Sequence, residues 1–121
     1  MTIVKNLLGS GIPGGAAQSI TGRVSLAQTA SGASQGAQKM ANDIVVFTSS
    51  TANYGPTLPA TSAPGDTYTV ANNTVNTIKV WPASGFYINL NAQNAALSIT
   101  TNLIATFTSL GDGNWIANLS A

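Results

Sequence analysis

Residues able to move protons or bind metals are scarce in this 121-residue chain. It has no histidine and no cysteine, and its acids are Asp43, Asp66 and Asp112, with no glutamate. General acid–base catalysis draws on a histidine or on a carboxyl pair tuned by its neighbours. These three aspartates lie in separate segments, and their spacing does not favour convergence. The expectation is therefore no catalytic residue, no metal, no cofactor and no enzyme activity. "GDGNW" at 111–115 offers Asp112 and Asn114 as oxygen ligands. Calcium takes six to eight oxygens, and no further acid is near. Between two apolar strands, Asp112-Gly113 reads instead as a tight hairpin turn.

Other motifs read in the same way. "PASG" at 82–85 is a turn, in which Pro82 ends a ladder and Gly85 lets the chain return. On this reading Trp81 and Phe86 flank a hairpin and pack beside its turn. Two sequons, Asn72-Asn73-Thr74 and Asn118-Leu119-Ser120, matter only in a secreted eukaryotic protein, so Asn72-Asn73 reads as turn residues. The aromatic set Tyr54, Tyr68, Trp81, Phe86, Tyr87 and Trp115 has the makings of a sugar platform. Large aromatics dominate small cores, so Tyr68 and Trp115 are assigned to the core.

Composition narrows the partners. Only 6% of residues are charged and the net charge is +1, against about 25% charged in an ordinary soluble domain. Mean hydropathy is +0.20. Thr, Ser, Asn, Gln and Gly must cover the surface, and little charge repulsion keeps copies apart. Much of this surface is expected to be hidden against other copies or a larger assembly. Lys5, Arg23, Lys39 and Lys79 form no basic stripe, so no nucleic acid is expected. The longest run of large apolar residues, Ile44 to Phe47, is far too short for a membrane span. Gly9, Gly11 and Pro13 cut the opening apolar region too short for a signal peptide. Without cysteine, stability must come from the core and from association.

The elements that position these residues follow from periodicity. Residues 1–22 read as an extended arm, apolar at Ile3, Val4, Leu7, Leu8 and Ile12 but broken by "GSGIPGG". One helical turn is possible at 16–20. Such an arm needs another surface to order it. Residues 23–121 read as a single all-β domain. Val24, Leu26 and Gln28 alternate with Ser25, Ala27 and Thr29 as a short strand, and "DIVVFTSS" at 43–50 is a second. "SGASQGAQ" is loop, with a brief helix possible over 37–41. Residues 52–65, with three prolines, read as a long extended loop, and Tyr54, Pro56 and Leu58 are its candidate exposed binding residues.

From 66 to 121 a meander of six short strands follows: "DTYTVAN", "NTIKVWP", "GFYINLN", "AALSITT", "LIATFTSL" and "NWIANL". Tyr68 shares a face with Val70, Ile78 with Val80, Ile88 with Leu90, Leu97 with Ile99, and Leu103 with Ala105 and Phe107. The series predicts an antiparallel β-sandwich or small, jelly-roll-like β-barrel.

Within this region Val70, Asn72-Asn73, Val80-Pro82-Gly85, Ile88-Asn89, Asn94 to Ala96, Phe107 and Gly111 to Trp115 form a pattern. It resembles a module of virion proteins from tailed bacteriophages, across somewhat under half of the chain. "GSGIPGGAAQSITG" likewise resembles the openings of small head-associated and fibre-associated phage proteins. Phe86 and Leu90 depart from the pattern, standing where the family has a polar residue and a glycine. The resemblance implies a structural part of the virion, at the surface of the phage head. There it would be a homotrimeric decoration (cement) protein whose arm residues Ile3, Val4, Leu7, Leu8 and Ile12 grip the major capsid protein. The alternative it implies is a fibre or receptor-binding module that recognises a cell-surface glycan.

Overall fold

The computed structural model describes residues 24–40 and 42–120. The arm at 1–22, with its residues Ile3, Val4, Leu7, Leu8 and Ile12 and the turn at 16–20, lies outside them. The described residues form an all-β fold without a helix. Seven strands arise: β1 (Val24–Ala30), β2 (Ile44–Ser50), β3 (Thr67–Asn72), β4 (Ile78–Val80), β5 (Leu97–Ile99), β6 (Ile104–Gly111) and β7 (Asn114–Leu119). They build a five-stranded sheet in the order β1-β2-β3-β6-β7 and a two-stranded sheet of β4 and β5.

Alternation along each strand makes the core. Val45 and Phe47 of β2, Val70 of β3, Ala105 and Phe107 of β6 and Trp115 of β7 are buried from the large sheet. Ile78, Val80 and Ile99 are buried from the small one, joined by Leu58 and Ile88. Two layers enclosing one apolar cluster make a small β-sandwich.

The large sheet is mixed, not the antiparallel meander expected. β1 pairs with β2 in parallel, and β2 with β3 in parallel, with Ile44 opposite Thr69 and Val45 opposite Val70. Only β3-β6 and β6-β7 are antiparallel. The cause is connection length. A hairpin turns within two to five residues, whereas 31–43 and 51–66 are long enough to carry the chain back to its starting end.

The stretch 77–93 also differs from its expected hairpin. β4 pairs with β5, with Ile78 opposite Ile99 and Val80 opposite Leu97, and "GFYINLN" forms no strand. The turn itself is present: the Phe86 N–H donates to the Ala83 carbonyl (3.0 Å), and Gly85 takes φ 91°. Beyond it the chain crosses to the large sheet, where Ile88 bridges Trp115 in parallel and the Asn89 N–H donates to the Trp115 carbonyl (2.7 Å). Asn89 has left-handed backbone (φ 57°), so Ile88 and Leu90 do not share a face. Ile88 is fully buried and Leu90 fully exposed. Over the described residues 37–40 the expected brief helix is absent, because residues 38–40 pair with Thr57 instead. The Thr57 N–H donates to the Gln38 carbonyl, and the Met40 N–H to the Thr57 carbonyl.

Candidate binding surfaces

The 52–65 segment was expected to present Tyr54, Pro56 and Leu58 to solvent. It does not. Pro56 and Leu58 are buried, and Tyr54 is half-buried against the core cluster. Residues 54–58 of this segment run alongside the small sheet and pair with it. The Lys79 N–H donates to the Tyr54 carbonyl (3.1 Å), Trp81 N–H to Pro56 (3.1 Å) and Leu58 N–H to Trp81 (2.9 Å). On its other side, Gly55 N–H donates to the Gly32 carbonyl (2.9 Å). Two glycines make this approach possible. A Cβ at Gly55 would lie 1.7 Å from the Lys79 carbonyl oxygen, and one at Gly32 would lie 2.2 Å from that of Gly55. The proline count signals a loop, and only the long-range backbone bonds reveal its pairing.

Beside this segment lies a groove of about 400 Å³ lined by Gly36, Lys39, Met40, Thr57, Leu58, Pro59, Ala60, Ala83 and Ser84. Lys39 is its single charged group. The Thr57 hydroxyl accepts the Gly36 N–H (2.7 Å), so part of its bonding capacity is taken. With one cation and two hydroxyls, the groove can hold a small polar group.

The three aspartates do converge in one respect. β2 and β3 run parallel, and β6 returns against β3 with Thr67 opposite Thr108. Asp43, Asp66 and the Asp112 turn therefore share one end of the large sheet. Asp66 spends a carboxylate oxygen on the Ala63 N–H (3.0 Å). Among the described residues no group of three metal-binding side chains comes together.

The turns at 82–85 and 111–114 have structural roles. Pro82 is buried and its carbonyl accepts Gln35 Nε2 (2.7 Å). In the β6-β7 hairpin the left-handed residues are Gly111 (φ 108°) and Asp112 (φ 54°). Gly113 is required for space instead, since a Cβ there would lie 2.5 to 2.8 Å from ring atoms of Phe86. Phe86 thus packs against this hairpin. Trp115 is fully buried and meets Tyr68 edge-on at 5.5 Å, as the core assignment expects. Its Nε1 is buried with no hydrogen-bond partner among the described residues.

Asn72 exceeds the turn role expected of it. It is buried (1% exposed), and its Nδ2 donates to the carbonyls of Asn76 and Ile99, both at 2.8 Å. Its Oδ1 accepts the Thr74 N–H (3.0 Å) and hydroxyl (2.7 Å). One side chain from the end of β3 therefore ties the large sheet to β5. The acceptor of the first sequon is accordingly sealed inside the fold.

A further surface is the outer face of the large sheet. No charged residue occurs in any of its five strands. Ile44, Ile104, Leu110 and Ile116 project there and are 38–50% exposed. Lys39 and Lys79, by contrast, belong to the small sheet and its added segments. No protein-family model matches the chain, and no curated protein matches it.

Proposed function

We propose that this protein is a structural virion component: a decoration protein that binds the outside of a phage head as a homotrimer and stabilises it. The observation that carries the reading is the uncharged outer face of the five-stranded sheet, in a chain whose residue types suit assembly and not chemistry. The resemblance across 66–117 supplies the kind of assembly. Binding to the major capsid protein falls to the arm, through Ile3, Val4, Leu7, Leu8 and Ile12. At ~25 cal/mol per Å², an arm hiding ~400 Å² of apolar surface contributes up to ~10 kcal/mol before ordering costs. Three linked arms add avidity. The glycan-binding alternative loses support, since two of its three loop residues, Pro56 and Leu58, are buried.

Co-sedimentation with heads lacking the protein tests the reading. Saturable occupancy in multiples of three, with a raised particle melting temperature, is expected. Deleting residues 1–22 should abolish occupancy, and full occupancy by that deletion would refute the gripping arm.

A further inference from the structure

We infer that the outer face of the five-stranded sheet is covered by the same face of other copies of this chain. Thr69 sits at its centre, on the middle strand, with Ile44 opposite on β2 and Thr106 opposite on β6. Ile104 and Ile116 flank that threonine pair and Leu110 lies further along β6 on the same face, each 45–50% exposed. The chemistry of the face selects its occupant. With no charge it offers nothing to steer or pair an ionic partner, and it puts no like charges together when it meets itself. Threonine hydroxyls donate and accept equally, so rows of them are complementary to an identical row. The methyl and isoleucine surface between them is of the kind that two sheets bury when they stack about 10 Å apart.

The area is sufficient. Five strands at ~4.8 Å spacing, each of six to eight residues at ~3.3 Å, give a footprint of roughly 500 Å² per copy. Two copies together reach about 1,000 Å², the lower bound for a biological interface. The inference stands apart from the virion reading. An oligomer that ignores heads would refute only the decoration role, and a bare trimer that binds heads would refute only this face.

The test is the solution mass of the full chain by light scattering at about 100 µM, at low and high salt, since association is concentration-dependent. A mass of an even number of 12.2 kDa chains, six where trimers pair, and insensitive to salt is expected, because identical faces pair two by two and no ion pair holds them. A monomer, an odd-numbered oligomer, or an oligomer that salt dissolves overturns the inference. Thr106→Lys and, separately, Thr69→Lys should halve the mass, with the buried Trp115 fluorescence retained. Mixing Thr106→Lys with Thr106→Glu should restore association. Lys79→Glu, on the other sheet, should leave the mass unchanged. Lysine variants that keep the parent mass, or a Lys79→Glu that dissociates, would place the contact elsewhere.

Discussion

The two sheets of this sandwich share one core but are held by different means. The large sheet rests on backbone ladders along five strands of six to eight residues, none carrying a charge. The small sheet has two three-residue strands. A pair that short is not stable by itself. It is completed by the added segment at 54–58 and fastened by side chains that bond to backbone. Asn72 reaches the Ile99 and Asn76 carbonyls. Gln38 accepts the Ser31 and Gly32 N–H groups and donates to the Thr29 carbonyl. Where ladder length is lacking, side-chain amides supply order. Where ladders are long, side chains are left to shape a surface.

Substitutions can sharpen this contrast, read by urea unfolding. Trp115→Ala empties the space both layers share and should cost about 3–5 kcal/mol. Asn72→Ala should cost about 2–3 kcal/mol, because the Ile99 and Asn76 carbonyls and the Thr74 N–H lose their partner. Amide exchange should then accelerate in β4 and β5 well before β6 and β7. Equal acceleration in both sheets would contradict the division drawn above. Gly113→Ala drives a methyl into the Phe86 ring and should cost about 1–3 kcal/mol. Lys79→Ala, half-exposed on the small sheet, should stay within about 0.5 kcal/mol.

Much of the strand content was legible because burial and periodicity agree. "DIVVFTSS" and "LIATFTSL" each became a strand with alternate residues buried, and "NWIANL" a strand that buries Trp115. Pairing was not legible, because nothing local distinguishes a long loop from a returning crossover. "GFYINLN" misled for a specific reason: its alternation is genuine, but Asn89 takes a left-handed backbone that only tertiary contacts with β7 explain. The Ala117 N–H donates to Asn89 Oδ1 at 2.8 Å. Gly113 and Asn72 were both recognised as turn residues. Their larger roles depend on partners 27 residues away in sequence, Phe86 and Ile99. Of the candidate surface, the absence of charge was visible in the composition. Its concentration on one sheet depends on which strands pair.

The parallel order of β1, β2 and β3 bears on how the chain reaches its native state. Each connection between them must travel back along the sheet, and usually a helix does this. Here the connection at 51–66 carries the segment that lies beside β4, and the connection at 31–43 lies in turn beside that segment. The first three strands cannot come into register until those connections lie down, and the connections have no place to lie without β4. Neither layer can form first as an independent unit, so a slow, single-step transition dominated by distant contacts is expected. The two tryptophans give the means to check it, Trp81 beside the small sheet and Trp115 in the large one. Proteins carrying Trp81→Phe or Trp115→Phe retain one reporter each, and their refolding time courses should superimpose once scaled for stability. A faster phase seen by one reporter alone would mean that its layer assembles ahead of the other.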